Sequence, residues 1–482
     1  MKQDKYKWIA LSCTSIGALF SVLSGSTLMI ALPVIMKDLN AGMAVVTWVL
    51  MGYMLALTIL VPAIGRIADI VGRKKLYVSG FAIFTLASLL CAISQNGMQL
   101  LIYRLIQSVG ASLMVANSTA IVADAFPKNE LGKAMGINSM IISIASIVGP
   151  VLGGFLITIG WRSIFYINIP IGIAGTLWAA FQLKEGIIEK KKQKFDIWGT
   201  ITFSTGMLAL LIALSIGGFT GWFNVSVIGL ILLSALLLYL FIRIENKCEE
   251  PMLDLRLLKT RVLAFAYASN LLNGIARGAV TFLLIFFFQG IKGIDPIQAG
   301  ILLAPFAISM MVISPISGYL CDKYGARVLS SAGLLISATG LFGMMFISEN
   351  TSIIELTVWM LIMGLGSGMF FSPNTSAIMS IVPADKRGIA AGVRTMATNA
   401  GNVLSIAISM AIISSSISPE AMQALFIGTQ VGSKGIAIGQ FITGLRIAFT
   451  ISFLFSIIAA VISYMRGAKP EWEEEEMELE TN

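Results

Sequence analysis

The stretch that decides the fold is PAIGRIADIVGRK, Pro62–Lys74, because a second version of it, PISGYLCDKYGAR, occurs at Pro315–Arg327. An offset of 253 residues aligns one aspartate and two glycines of the first version with the same residue types in the second. The aligned pairs are Gly65 with Gly318, Asp69 with Asp322, and Gly72 with Gly325. Two stretches of one pattern, separated by half the chain, predict an internal structural repeat.

Long apolar segments flank both versions of this stretch. The 482-residue chain is 57% hydrophobic and only 12% charged, whereas soluble domains carry about 25% charged residues. Continuous apolar runs of about 20 residues cross the hydrocarbon core of a bilayer as helices. The sequence therefore predicts an all-α polytopic membrane protein. We assign fourteen spans: 8–36, 46–68, 76–94, 99–123, 135–159, 163–183, 197–216, 225–244, 261–290, 297–320, 328–347, 354–380, 388–414 and 441–464.

The basic residues predict the orientation of these spans. The chain has 33 Lys and Arg residues and a net charge of +8. With the N-terminus in the cytoplasm, the outer loops hold only Lys37, Arg162, Lys292 and Lys434. This bias follows the positive-inside rule, so both termini are predicted to be cytoplasmic. The positive charge is explained by topology and by contact with membrane lipid, so we expect no nucleic-acid partner.

A second pair of stretches extends the repeat. FPKNELGKAMGI, Phe126–Ile137, matches VPADKRGIAAGV, Val382–Val393, at an offset of 256 residues. Both pairs keep their order, so the first six predicted spans and the last six form a parallel repeat. Two such bundles, related by an axis along the membrane normal, are typical of alternating-access carriers.

The repeat and the charged connectors predict four segments in the chain. One six-helix bundle covers 1–183 and a second covers 261–466. Between them, 184–260 is a basic linker with two extra spans that have no repeat mate. Residues 467–482 form an acidic tail without an apolar face, which predicts disorder. We expect the protein to be a monomer.

Enzyme chemistry finds no support in the sequence. The chain has no histidine, and its four cysteines lack metal-ligand spacing. It shows no nucleophile–base set, nucleotide-binding loop or metal-ligand cluster. We therefore expect neither an enzyme nor a cofactor or metal site.

Several motifs, in order along nearly the whole chain, resemble the major facilitator superfamily. They are GRIADIVGRKK (Gly65–Lys75), RLIQSVGASLM (Arg104–Met114) and GPVLGG (Gly149–Gly154). WRSIFYINIPIG (Trp161–Gly172) and ITGLRIAFTISF (Ile442–Phe453) are similar to its fourteen-span drug:proton antiporter branch. The resemblance implies the major facilitator fold, with two six-helix bundles and two extra linker helices.

The resemblance also implies roles for particular residues. The first motif and its repeat would form a cytoplasmic latch: Gly65, Asp69, Gly72, Arg73, Gly318, Asp322 and Gly325. Arg104 and Gln107 would serve proton transfer or substrate binding. An antiporter motif would comprise Gly149, Pro150, Gly153 and Gly154. The alternative to the latch is a basic loop that only sets the topology, and the alternative for Arg104 is a structural anchor. For the antiporter motif, the alternative is ordinary tight helix packing.

Polar residues in two spans predict a central cavity. Ser21 and Ser24 share a helical face with Thr14 and Gly17 in the first span. The repeat places Ser24 opposite Arg277, which shares a face with three other polar residues of the ninth span: Asn270, Asn273 and Thr281. We expect both faces to line the cavity. The alternative is that the second stripe packs against neighbouring helices.

The predicted cavity contains no acid. Antiporters that resemble this chain carry an aspartate where Ser24 stands, and no other span has a carboxylate at mid-depth. The best candidate for a proton site is therefore Asp124, at the inner end of the fourth span. An arginine-lined cavity repels permanent cations and suits an anionic, zwitterionic or neutral amphiphile.

The leading interpretation is a plasma-membrane secondary transporter that exports amphiphilic small molecules by rocker-switch alternating access with proton antiport. One alternative is a facilitator or exchanger of an anionic or zwitterionic solute or lipid, without a core carboxylate for coupling. An alternative of another class is a non-transporting membrane sensor. The expected partners are the substrate, membrane lipid and, for antiport, protons.

Overall fold

The computed structural model describes residues 3–41, 43–185, 196–248, 260–294, 296–383, 386–416 and 434–467. The first half contains α1 (Gln3–Asp38), α2 (Met43–Val71), α3 (Arg73–Ala92), α4 (Gly97–Ala125), α5 (Leu131–Ile159), α6 (Ser163–Tyr166) and α7 (Asn168–Gln182). Two further helices follow, α8 (Ile197–Thr220) and α9 (Val225–Glu245). The second half contains α10 (Arg261–Arg277), α11 (Val280–Phe286), α12 (Pro296–Leu302), α13 (Ala304–Tyr324), α14 (Ala326–Met344), α15 (Ile353–Ile381), α16 (Arg387–Ser416) and α17 (Lys434–Tyr464).

Parts of two predicted segments are not among the residues that the structure describes. Residues 186–195 of the basic linker and 468–482 of the acidic tail lie outside the described residues. The predicted disorder of the tail therefore remains a prediction. Within the described ranges, thirteen helices are long and apolar enough to cross a membrane.

The predicted ninth span, 261–290, differs from the sequence prediction because its helix is interrupted. α10 ends at Arg277 and α11 begins at Val280. The N–H of Ala279 donates to Ser405 Oγ of α16 at 2.9 Å, so a side chain of another helix holds the turn. This tertiary contact cannot be seen in the local apolar pattern, and the ninth predicted span is consequently not one continuous helix.

The helices of the two halves pack in the same pattern. In the first half α1 packs against α5, and both α2 and α3 pack against α4. In the second half α10 packs against α16, and both α13 and α14 pack against α15. The halves meet where α5 lies along α13 and where α16 lies along α2. α8 and α9 pack together, and α8 also contacts α16.

Each half has its own aromatic core. Phe20 and Phe84 lie 4.5 Å apart between ring centroids in the first half, and Phe287 and Phe288 are fully buried in the second. Large apolar side chains also face outward, such as Leu232 on α9, which is 65% exposed. An apolar outer surface suits contact with lipid tails.

Single glycines join the helices on which the repeat motif lies. Gly72 connects α2 to α3 with φ 113°, and Gly325 connects α13 to α14 with φ 80°. Side chains with a Cβ rarely adopt such positive φ values. These glycines hold Asp69 and Asp322 at the ends of their helices, on the same end of the molecule.

Candidate functional site

Asp69 joins the first half of the chain to the second. It lies in the last turn of α2 with a fully buried side chain. Its carboxylate accepts hydrogen bonds from the N–H groups of Gly388 at 3.1 Å and Ile389 at 3.2 Å. Both belong to the first turn of α16, where helix N–H groups lack intrahelical acceptors and carry partial positive charge.

Asp322 makes the equivalent contact in the opposite direction. It lies near the end of α13, and its two carboxylate oxygens accept from the N–H groups of Gly132 at 2.8 Å and Lys133 at 3.0 Å. Both N–H groups are in the first turn of α5. We call the end of the molecule that carries Asp69, Asp124 and Asp322 the aspartate end.

Glycine pairs allow the halves to approach this closely. A Cβ on Gly65 would lie 2.3 Å from the carbonyl oxygen of Gly388, which is far inside van der Waals contact. A Cβ on Gly318 would lie 2.1 Å from the carbonyl oxygen of Gly132. The repeat relates the contact of α2 with α16 to the contact of α13 with α5, so glycine is required at both contacts between the halves.

An ion-pair network lies beside the contact of α2 with α16. Arg73 donates to Asp69 Oδ1 through Nη2 at 2.7 Å and also donates to Asp124. Arg387, from the second half, donates through Nη1 to Asp124 Oδ1 at 3.1 Å. Asp124, predicted as the possible proton site, therefore bridges two guanidinium groups at the aspartate end.

A buried apolar cluster closes the same end. It combines residues of both halves, and we call it the apolar seal. Its fully or nearly fully buried members include Phe126, Ala134, Met135, Met379, Ala390 and Ala391. The hydrogen bonds, the ion pairs and this cluster together close the molecule at the aspartate end.

The opposite end has a contact within the first half. Asp38 accepts hydrogen bonds from Trp161 Nε1 at 2.7 Å and from Arg162 Nη1 at 2.8 Å. These donors hold the pKa of the Asp38 carboxyl below its ordinary value, with the Trp161 hydrogen bond as the larger cause. This contact does not join the two halves.

Arg104 lies in a polar cluster inside the first half. α4 begins after Asn96, whose Oδ1 accepts the N–H of Gln99 at 2.9 Å, and this cap sets the register of Arg104 two turns later. The Arg104 side chain is 0% exposed. Its Nη1 donates to Ser24 Oγ at 3.3 Å and also to Gln107 Oε1.

Further groups complete this cluster. Gln107 Nε2 donates to Ser88 Oγ of α3 at 2.6 Å. The Arg104 guanidinium lies 4.1 Å from the centroid of the Tyr53 ring of α2. The sequence reasoning missed Tyr53 and Ser88 because the packing of four helices, not any spacing, brings them to Arg104. It also missed Arg387, although that residue directly precedes a repeat glycine.

Ser24 and Arg277, which we expect to face each other across a cavity, each contact residues of their own half. Ser24 contacts Arg104 of its own half, whereas the Arg277 guanidinium lies over the ring of Phe371, 4.9 Å from its centroid. Ser21 is nearly buried, and its hydroxyl donates to the carbonyl of Gly17 at 2.9 Å within α1. The alignment of the repeat relates positions in the two halves but does not bring them into contact.

The polar stripe of the ninth span is divided in the structure. Asn270 donates through Nδ2 to Arg394 O at 2.8 Å and to Thr398 Oγ1 at 2.7 Å. Asn273 is buried as well. Thr281 follows the interruption of the helix and is exposed, so it does not share their face. Asn270 therefore packs against α16, as the alternative interpretation of the stripe expected.

The predicted antiporter motif lies where α5 crosses α1. A Cβ on Gly149 would lie 1.9 Å from Ser26 Oγ, and one on Gly153 would lie 3.0 Å from the Cα of Thr27. Gly154 is buried, whereas nothing is described for the side chain of Pro150. The motif makes close helix packing possible, and its role in antiport stays a prediction.

The molecule has two helical halves that are related by a repeat. Paired aspartates and glycines join these halves at one end of a multi-pass bundle. This arrangement defines a class of polytopic membrane transporters. Sequence comparison identifies the family. Residues 14–406 and 266–480 match the Major Facilitator Superfamily, and the chain belongs to it. It is therefore a transporter and not an enzyme.

Its relatives include two named bacterial transporters. The chain is 36% identical to the riboflavin transporter RibZ of Clostridioides difficile, over 80% of this chain and 83% of that one. It is 34% identical to the multidrug transporter protein MdtP of Bacillus subtilis, over 80% of this chain and 72% of that one.

Solved structures support the fold. The proton:xylose symporter XylE superposes with a TM-score of 0.64 over 95% of both chains, at 14% identity. The human organic anion transporter MFSD10 gives a TM-score of 0.64 over 93% of this chain and 99% of its own, also at 14% identity. At this identity the likeness concerns the fold alone.

Proposed function

We propose that the chain is a plasma-membrane secondary transporter that exports amphiphilic small molecules by rocker-switch alternating access with proton antiport. In this proposal it belongs to the fourteen-span drug:proton antiporter branch, acts as a monomer and has both termini in the cytoplasm. The aspartate end is then the cytoplasmic gate. The names of RibZ and MdtP support riboflavin or a multidrug range of substrates.

The observation that carries this proposal is the paired closure of the aspartate end. Asp69 and Asp322 each accept two N–H groups from a helix of the other half. Hydrogen bonds between rigid halves must break when the halves rock apart. Two related contacts on either side of an axis are suited to such a motion, because they open and close together.

Transport by the purified protein in liposomes is the first prediction. We expect riboflavin or ethidium to cross the membrane several-fold faster than in protein-free liposomes, and we expect an imposed pH gradient to increase the flux. Fluorescence of the trapped probe measures the rate, and collapse of the gradient with an ionophore is the control. If neither probe moves faster than in empty liposomes, the proposal is wrong for these substrates.

A second candidate function is favoured by the charges of the spans. Arg104 and Arg277 lie well inside them, whereas no carboxylate of the described residues lies at mid-depth. This charge pattern suits a facilitator or exchanger of an anionic or zwitterionic solute. Such a protein would transport carboxyfluorescein without a pH gradient and faster with unlabelled anion on the far side, and ethidium would not move.

The bridge formed by Asp124 gives another prediction. We expect Asp124→Asn and Arg387→Gln to slow transport to a similar extent, because each removes the charged pair between the halves. We also expect Asp124→Asn to keep the parental dependence of flux on the pH gradient. Flux measured at several gradients checks both statements. Loss of the pH dependence in Asp124→Asn alone would show instead that this carboxyl carries the coupled proton.

A further inference from the structure

The guanidinium of Arg104 uses only part of its hydrogen-bonding capacity. Nη1 donates to Ser24 and Gln107. Nε and Nη2 are buried and have no hydrogen-bond partner among the described residues. The neighbouring hydroxyl of Tyr53, on the ring that the guanidinium covers, is buried without a described partner too.

The charge of Arg104 is also uncompensated. None of the ion pairs between described residues includes Arg104, and the side chain is 0% exposed. The other groups around it, Ser24, Gln107 and Tyr53, are neutral. A buried charge without a counter-charge is strongly destabilising.

Other arginines in the helices do not combine these features. Arg73 and Arg387 pair with carboxylates at the aspartate end. Arg466 Nη2 donates to Asn374 Oδ1 at 2.8 Å, near the end of α17. Arg277 contacts the rings of Phe306 and Phe371 and is partly exposed. Of these five arginines, Arg104 alone is 0% exposed and has two nitrogens without a described hydrogen-bond partner, next to a tyrosine hydroxyl that also has none.

We propose that Arg104 binds a monovalent anion, held by Nε and Nη2 of its guanidinium and by the hydroxyl group of Tyr53. The chemistry is that of a small anion or a carboxylate, which a guanidinium fork binds through two N–H groups. It has two possible sources: an inorganic halide from solution, or the carboxylate of an anionic amphiphile that the protein transports. The second source rests on the proposed transport function, whereas the first does not.

Charge distinguishes this site from a hydrated one. A buried water would satisfy the free N–H groups but would leave the positive charge of Arg104 without a counter-charge. Ser24 offers a direct way to supply that charge, because its Oγ lies 3.3 Å from Nη1. A carboxylate at position 24 would pair with the guanidinium through Nη1 and would supply from the protein the negative charge that the bound anion otherwise supplies.

The experiment compares Ser24→Asp with Ser24→Asn, two side chains of equal size that differ in charge. Thermal unfolding of the purified full chain in detergent is followed while chloride, or benzoate as an organic carboxylate, replaces the sulfonate isethionate at constant ionic strength. Binding to the folded state stabilises it by mass action. We expect a saturating rise of the midpoint for the wild type and for Ser24→Asn, and no rise for Ser24→Asp.

The outcomes separate the two sources. A response to chloride alone supports an inorganic anion, a response to benzoate alone supports the substrate carboxylate, and a response to both supports a shared site. Equal anion responses in Ser24→Asp and Ser24→Asn overturn the proposal. The absence of any saturating response in the wild type overturns it as well.

Direct binding keeps the test decisive if a variant does not fold. Radiolabelled chloride and benzoate are measured on the wild-type protein, with the unlabelled anion as competitor, and we expect saturable, competable binding of at least one. Failure of both refutes the anion site. Neither measurement needs transport, so a protein that binds the anion but moves no probe in liposomes refutes the proposed function alone.

Discussion

Replacing Gly388 by leucine is expected to reduce transport at least about tenfold, because the aspartate end could then no longer close as it does here. A Cβ at this position would lie 2.5 Å from the carbonyl oxygen of Gly65 and 2.6 Å from Asp69 Oδ1. The first of these is a backbone atom in the middle of a helix and cannot turn aside. Overpacking of a close contact costs about 1–3 kcal/mol, and every 1.4 kcal/mol shifts a conformational equilibrium about tenfold.

The same substitution at Gly229 of α9 is the matched control. A Cβ there meets no atom within 4 Å, so Gly229→Leu should fold and transport like the parent. Initial rates in liposomes, corrected for the amount of protein inserted, measure both variants. Parental transport by Gly388→Leu would mean that the crossing of α2 and α16 does not need to close during the transport cycle.

The repeat in the sequence predicted which residues of the two halves are equivalent, and this information was sufficient to select several residues of the aspartate end. Glycines in matched positions predicted close approaches, and Asp69 and Asp322 were selected together. The sequence alone did not identify which helices would cross. Those pairs depend on how two bundles of similar shape pack, which is a property of the whole fold.

The site around Arg104 was less predictable for a related reason. Ser24 was selected from the polar face that it shares in the first span, and Arg104 from the family motif in which it lies. Their contact runs between α1 and α4, and no spacing in the sequence encodes it. The same limit applies to the ninth span, where Ser405 of a distant helix holds the interruption at Ala279.

Asparagine at both Asp69 and Asp322 is expected to open the aspartate end. Each carboxylate accepts two N–H groups across the halves, and a hydrogen bond to a charged group is worth about 1.5–3 kcal/mol. Asparagine keeps the size of the side chain but removes the charge. Because the two contacts lie in separate interfaces and open together, their losses should add. We expect about a tenfold shift towards the open state for each single variant and about a hundredfold shift for the double variant.

A cysteine in the apolar seal reports this opening. Ala134 is 0% exposed, so Ala134→Cys, with the four native cysteines changed to alanine, reacts with a membrane-impermeant maleimide only when the halves separate. The labelling rate should rise in the order parent, single variants, double variant. Asp38→Asn is the control, because Asp38 pairs with Arg162 inside the first half and should leave the rate unchanged. If the double variant labels as slowly as the parent, the apolar seal and not the aspartate pair holds the halves together, and the paired acids must then serve another step of the transport cycle.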